Sequence, residues 1–209
     1  MILLSKHFTH FPDVTLAEPD GLLAIGGNLE PETLQKAYNN GIFPWYSEGE
    51  PICWYAPPAR CVIFPEHIKI SKSMRPLLRS GRFQLTMDQA FEQVILQCAE
   101  IVRLDQDGTW ILPEMQAAYL LLHQTGKAHS VEVWEDGELV GGLYGVVVHN
   151  VFCGESMFSK RSNASKAALI WLCTQHEYRL IDCQVPNDHL MSLGATMIPR
   201  ADYTAYLKA

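Results

Sequence analysis

The chain has 209 residues, 48% of them hydrophobic, and 16 Lys and Arg against 23 Asp and Glu give a formal net charge of −7. Such a chain buries a core without disulfides, as one domain or two unequal ones. The acidic balance argues against a protein that coats nucleic acid indiscriminately, and no apolar run approaches the ~18 residues needed to span a bilayer.

Met1-Ile-Leu-Leu-Ser-Lys-His-Phe8 lacks the features of a signal peptide. Cys53, Cys61, Cys98, Cys153, Cys173 and Cys183 form no C-x-x-C pair, and no His cluster has zinc spacing. They read as reduced core residues, so the expectation is a soluble cytoplasmic protein with no metal and no membrane contact.

Residues 1–58 are rich in Gly and Pro and predict loops and short elements, with one helical pattern from Pro31 to Asn39. Pro57-Pro58 marks the boundary, so a small N-terminal domain is expected over 1–58 and a second domain over 59–209. Cys61–Phe64 reads as a strand. From His67 to Met87 there is no Asp or Glu, while Lys72, Arg75, Arg79 and Arg82 fall at helical spacing and form one basic stripe. Pro76 fits the first turn of that helix if Ser73 is its cap. The stripe reads equally as a phosphate-binding surface or a solvated face.

Phe83–Met87 predicts a strand, and Asp88 the cap of a helix burying Ala90, Phe91, Val94, Ile95 and Cys98. Pro113 opens a second helix with Met115, Ala118, Tyr119 and Leu122 on one side. Strands at His129–Trp134 and Leu139–Val148 join across Asp136-Gly137, a strong hairpin signal. Val151–Glu155 is a further strand, and Asn163 caps a helix running through Trp171. A strand around Asp182, a helix near Asp188–Leu193 and a last helix at Ala201–Leu207 close an α+β acyltransferase-like layout.

Leu180-Ile-Asp-Cys-Gln-Val185 carries an acid and an amide inside an apolar strand. At period two, Leu180, Asp182 and Gln184 share one face, and Ile181, Cys183 and Val185 the other. An ionised Asp is costly to bury alone, so Asp182 is either paired or working; an edge strand facing solvent is the bland alternative. Glu155 interrupts another apolar strand, beside Gly154, which permits close backbone approach. Gly154-Glu-Ser-Met-Phe158 fails as a nucleophile elbow, because Phe stands where the second glycine belongs. Cys153 as a thiol nucleophile needs a histidine that nothing in the sequence places beside it.

Gly141-Gly-Leu-Tyr-Gly145 lies within a strand pattern, which is a poor context for dinucleotide binding. Ser159-Lys-Arg-Ser-Asn-Ala-Ser-Lys166 has no glycine where acetyl-CoA enzymes of this layout cradle the pyrophosphate, which argues against CoA as donor. Aromatics concentrate at Phe43, Trp45, Tyr46, Trp54, Tyr55, Trp110 and Tyr119. Core explains most of them, but loop-borne Trp and Tyr also stack on unpaired bases, and with the basic stripe they suit a grip on a single-stranded nucleic-acid end.

Gly21-Leu-Leu-Ala-Ile-Gly-Gly-Asn-Leu, Ala37-Tyr-Asn-Asn-Gly-Ile-Phe-Pro-Trp45, Gly108-Thr-Trp-Ile, His129-Ser-Val-Glu-Val-Trp, Gly141-Gly-Leu-Tyr-Gly, Gly154-Glu-Ser-Met-Phe-Ser, Asn163-Ala-Ser-Lys, Ile181-Asp-Cys-Gln-Val, Ser192-Leu-Gly-Ala and Ile198-Pro-Arg run in order along the chain. In these motifs the chain resembles the bacterial leucyl/phenylalanyl-tRNA–protein transferases. The resemblance implies a small N-terminal domain plus a GNAT-like acyltransferase domain that uses aminoacyl-tRNA and no added cofactor. The implied reaction moves Leu or Phe, and Met less well, to the α-amino group of proteins beginning with Arg or Lys, marking them for degradation by the N-end rule pathway. Similar proteins often carry a C-terminal tail beyond the point where this chain ends.

By the same resemblance, Asp182 and Gln184 stand at the reaction centre, with Asp182 as base or ammonium holder, or in a purely positional or electrostatic role while the tRNA ribose hydroxyl assists proton transfer, and Gln184 orienting the acceptor or polarising the carbonyl. Glu155 is expected to help bind the basic acceptor. Phe152, Met157 and Ile181 are expected to wall an apolar donor pocket in which flexible Met accommodates both Leu and Phe. Trp45 and Trp110 are expected to hold the terminal adenosine, with Tyr119 also facing substrate, while Lys72, Arg75, Arg79 and Arg82 contact acceptor-stem phosphates. The expected state is a monomer. Two other classes share part of the pattern: a peptidoglycan-type aminoacyl-tRNA transferase, and a tRNA-binding module without catalysis, which needs neither Asp182 nor Gln184.

Overall fold

The computed structural model describes residues 2–101 and 109–208. The first part of the chain, expected as loops and short elements, is organised around a small sheet. Its strands are β1 (Ile2–Leu4), β2 (Leu22–Gly26), β3 (Phe43–Pro44) and β4 (Cys53–Tyr55), in the order β1-β2-β4-β3. Helix α1 (Pro31–Asn39) begins at its proline, as read from the sequence, and buries Leu34, Ala37 and Tyr38. Trp54 is fully buried, and its indole donates to the Gly26 carbonyl at 2.8 Å.

From Ala59 the chain builds a second, seven-stranded sheet. Its elements in order are β5 (Ala59–Ile63), α2 (Met74–Arg79), β6 (Gln84–Met87), α3 (Phe91–Glu100), α4 (Pro113–Gln124), β7 (Ala128–Glu135), β8 (Glu138–Val148), β9 (Val151–Ser159), α5 (Ala164–Gln175), β10 (Leu180–Gln184), α6 (Asp188–Ser192), β11 (Thr196–Pro199) and α7 (Arg200–Tyr206). The strand order is β11-β5-β10-β9-β8-β7-β6. β9 and β10 run parallel, with α5 as their crossover, and the other neighbours are antiparallel. The fold is mixed α+β.

Both faces of this sheet are covered. One apolar cluster joins α1, α3, α4, α7 and the small sheet to the face that carries Tyr144, Cys153 and Leu180. The other packs α2, α5 and α6 on the face that carries Leu143, Phe152 and Ile181. The β7–β8 hairpin turns at Asp136 (φ 51°) and Gly137 (φ 80°), both left-handed, as a two-residue Asp-Gly turn requires. Gly141 lies where α5 crosses β8: a Cβ there would stand 2.5 Å from that of Ala164.

Several local expectations are corrected. The basic helix spans only Met74–Arg79, so Lys72 precedes it and Arg82 follows it, and the four cations do not share one helical stripe. Pro76 does fall in its first turn, but the side chain that caps it belongs to Ser71, whose hydroxyl accepts from Met74 N at 3.2 Å. Asp88 does not cap α3, whose cap position is Ala90. At φ 59°, Asp88 turns back onto β7 and accepts from Ser130 N at 2.9 Å and from the His129 ring at 2.6 Å. Asn163 holds the cap position of α5 in a left-handed conformation without a side-chain capping bond, and α5 continues past Trp171 to Gln175. β9 runs on to Ser159, four residues beyond Glu155.

Candidate active site

β9 and β10 pair only at their beginnings, Leu180 with Val151, Ile181 with Phe152 and Asp182 with Cys153. Beyond that point β9 stays with β8, while a bulge carries β10 away at Gln184. Gly154 stands at the fork, where a Cβ would lie 3.2 Å from the Asp182 carbonyl. The opening is a cleft of about 810 Å³. Glu155, Ser156 and Met157 line one side, and Asp182, Gln184 and Asn187 the other. Trp45 and Trp110 are at its rim.

Two carboxylates meet at the base of this cleft in different company. Asp182 is fully buried and accepts from Arg60 Nε and Arg60 Nη2 at 2.8 Å each, from the Tyr203 hydroxyl at 2.8 Å and from Gln184 N at 2.8 Å. Arg60 is equally buried. Its guanidinium lies between the rings of Phe43 and Tyr203, 4.7 and 4.5 Å from their centres, and donates its remaining arm to Gly41 O at 3.0 Å. The charge of Asp182 is thus neutralised and its lone pairs are occupied.

Glu155 has no ion-pair partner among the described residues. Its carboxylate accepts from Gln184 Nε2 at 2.6 Å and from the Tyr119 hydroxyl at 2.9 Å, and Tyr119 is itself hydrogen-bonded to Tyr38. Burial pushes the Glu155 carboxyl up to about 7, held back by the Tyr38 and Tyr119 hydroxyls and reinforced by the nearby Asp182 charge. Burial, together with Glu155, keeps both tyrosines protonated well above the ordinary phenol range, so they act as donors. The cleft therefore presents a carboxyl that titrates near neutrality, beside an amide with one N–H still to give.

Residues 62–208 match the family model described as leucyl/phenylalanyl-tRNA protein transferase, and residues 27–58 match the model of that family's N-terminal domain. The chain belongs to the leucyl/phenylalanyl-tRNA–protein transferase family. It is 57% identical to the leucyl/phenylalanyl-tRNA–protein transferase of Syntrophus aciditrophicus, over 95% of this chain and 84% of that protein. To its counterpart from Christiangramia forsetii it is 53% identical, over 94% of this chain and 95% of that protein. Its likeness to a solved GCN5-related N-acetyltransferase from Kribbella flavida has a TM-score of 0.40 at 11% identity, covering 79% of this chain and 59% of that one.

In this member of the transferase family, Asp182, Gln184, Glu155, Trp45, Trp110, Met157 and Ile181 all border one cleft. Phe152 does not: it is buried on the α5 side of the sheet against Tyr178, because it precedes the fork where the strands part. Tyr119 is likewise fully buried and reaches the cleft only through its bond to Glu155. Lys72, Arg75, Arg79 and Arg82 are exposed, and Arg82 is ion-paired with Glu135. Gly108, part of the Gly-Thr-Trp-Ile motif, lies outside the described residues.

Arg60, Tyr38 and Tyr203 were not singled out from the sequence. Arg60 had a signal: it is a lone cation in the otherwise apolar strand Ala59–Ile63, and a cation buried there requires an anion. Cys153 is no nucleophile. Burial raises its thiol pKa, and its sulfur partner is the Tyr203 hydroxyl at 3.6 Å, not a histidine. Among the described residues no three His, Cys, Asp or Glu side chains are grouped to hold a metal ion, and no helix is long and apolar enough to cross a membrane.

Proposed function

We propose that this chain transfers an aminoacyl group from aminoacyl-tRNA to the α-amino group of an acceptor protein, in the cleft between β9 and β10. Family membership supports the reaction class, and Glu155 carries the chemical assignment. It is a buried carboxylate with no cation of its own, open to the cleft and poised at about 7. An incoming α-ammonium, which titrates at about 7.7–8.0, supplies the missing positive charge and a proton that Glu155 accepts. The aminoacyl ester is already activated, so the task is orientation, proton removal and oxyanion stabilisation.

The amine freed by that proton transfer bonds through its lone pair to the ester carbonyl carbon. The bond from that carbon to the terminal ribose oxygen then breaks as Glu155 gives its proton to that oxygen, and the restored carboxylate takes the second proton from the nitrogen as the amide forms. Gln184 holds Glu155 with one amide N–H and offers the other to the developing oxyanion. Asp182 acts here as a positioning group, the alternative to a base or ammonium holder that the sequence leaves open. It anchors the backbone N–H of Gln184 and is itself clamped by Arg60 and Tyr203. Leu143, Met157, Leu169 and Ile181 supply an apolar wall for a Leu or Phe side chain, with Met less favoured, and Trp45 and Trp110 offer rings to the terminal adenosine.

In the same proposal residues 1–58 form a small N-terminal domain and 59–209 a GNAT-like catalytic domain, a layout with which the parallel β9–β10 pair inside an antiparallel sheet is consistent. Acceptors beginning with Arg or Lys, a place in N-end rule degradation, action as a cytoplasmic monomer and phosphate contacts from Lys72, Arg75 and Arg79 belong to the same proposal. The test is incubation with radiolabelled leucyl-tRNA and a protein acceptor beginning with Arg. Label is expected on the acceptor's N-terminal residue. Label confined to peptidoglycan-type peptides, or tRNA binding with no transfer, would overturn the reading.

A further inference from the structure

Cys61 on β5 is fully buried, whereas Cys183 on β10 is partly exposed and lines the cleft. The register brings them together. Asp182 pairs with Val62 and Gln184 with Cys61, so Cys183 is the extra residue of the bulge, set against Cys61. Both side chains pack into the apolar cluster on the α5 side of the sheet. The Cys183 thiol donates to the Ile181 carbonyl at 3.9 Å. A buried thiol and a cleft-lining thiol thus lie on neighbouring strands, packed in one cluster, beside the two side chains that organise the site, Asp182 and Gln184.

We propose that Cys61 and Cys183 form a reversible oxidation site, converted to a disulfide by a peroxide entering the cleft. One thiolate attacks the peroxide, giving a sulfenic acid and releasing water from hydrogen peroxide. The second thiol then displaces hydroxide from that sulfur, which leaves as a second water with the thiol's proton. The two thiols lose two electrons in all, and the peroxide gains them. Cys183 holds the Cys61 thiol below its ordinary value against burial and the Asp182 charge, while Cys61 and burial push the Cys183 thiol up, so the two titrate as a pair.

A disulfide has sulfurs at about 2.05 Å, closer than any two non-bonded sulfurs, so closing it draws the bulge toward β5. Gln184, already left-handed at φ 61°, is the residue this movement displaces, and its bond to Glu155 goes with it. That consequence for activity rests on the proposed function; the disulfide itself does not.

The purified chain is treated with hydrogen peroxide, free thiols are alkylated, and digests are searched by mass spectrometry for a linked Cys61–Cys183 peptide while leucyl transfer is followed. The expected result is the linked peptide with a loss of transfer of roughly tenfold, the equivalent of one lost hydrogen bond in the transition state, reversed by dithiothreitol. Cys61→Val, or Cys61→Ala if valine packs poorly, should keep its basal transfer and lose its sensitivity. No linked peptide, or a Cys61 variant inactivated as fast as the parent chain, overturns the proposal, and a linked peptide with unchanged transfer overturns its coupling to activity through Gln184. A linked peptide in a chain that shows no transfer even when reduced supports the oxidation site and counts against the transferase reading alone.

Discussion

Arg60 and Asp182 close on each other through two hydrogen bonds of 2.8 Å, both fully buried and 122 residues apart in sequence. This pair separates the roles of the two carboxylates in the cleft. Asp182 has a cation and spends its charge on Arg60, whereas Glu155 has none and retains the capacity to take a proton. Two acids with one environment each is a common way to divide labour within a single site.

Removing the cation should expose what the pair costs. Arg60→Met leaves a buried carboxylate without a partner and should destabilise the chain by about 3–5 kcal/mol in urea unfolding. Adding Asp182→Asn should recover much of that loss, because no uncompensated charge remains. A double variant no more stable than Arg60→Met would show that the loss comes from packing against Phe43 and Tyr203 instead.

Glu155 sets a pH dependence in two observables. Transfer should climb as pH rises through about 7, because the proposed proton acceptor is the carboxylate, and Glu155→Gln should be low and flat across that range. For stability the sign is opposite. The folded value lies above the ordinary one for Glu, so the folded state binds the extra proton. Its contribution is complete below about 4.3 and is lost as pH rises through about 7. Glu155→Gln should therefore melt higher than the parent chain above pH 7 and lose that advantage in acid. Parallel melting curves across the range would refute the assignment.

Neighbouring positions on β10 should behave in contrasting ways. Ile181 packs among Phe152 and the α5 side chains, so Ile181→Asp should unfold or aggregate the protein by placing a charge in the core. Gln184→Ala removes the bond to Glu155 at the cleft and should lower transfer about tenfold with a native circular dichroism spectrum. A folded, active Ile181→Asp variant would contradict the packing described here.

The basic segment is testable by salt dependence. Reversing Arg75 and Arg79 on the exposed side of α2 should weaken tRNA binding whatever the tRNA sequence, and reduce the slope of log affinity against log salt by roughly 1–2 units. Reversing Arg82 should change the slope less, since its charge is already committed to Glu135. An unchanged slope in the Arg75 and Arg79 double variant would make α2 an ordinary solvated face.

Local pattern was enough for much of the fold. The Asp136-Gly137 hairpin, the helix opened by Pro113 and the strand centred on Asp182 follow from turn chemistry and from periods of 3.6 and 2, which act over a few residues. The motifs that mark the family are also linear, so the reaction class was legible, and Asp182, Gln184 and Glu155 stood out as candidates, before any fold was known. Their division of labour was not. Arg60 reaches Asp182 only because β5 pairs with β10, and Tyr38 reaches Glu155 only because α1 packs on α4 and Tyr119 bridges them. Phe152 and Met157 look alike as apolar residues on one strand, yet the fork at Gly154 seals one and opens the other to the cleft. Periodicity states which side chains share a face of one element; which elements meet across that face, and where two strands part, is decided by long-range packing, and it is there that Asp182 was paired and Glu155 left free to take a proton.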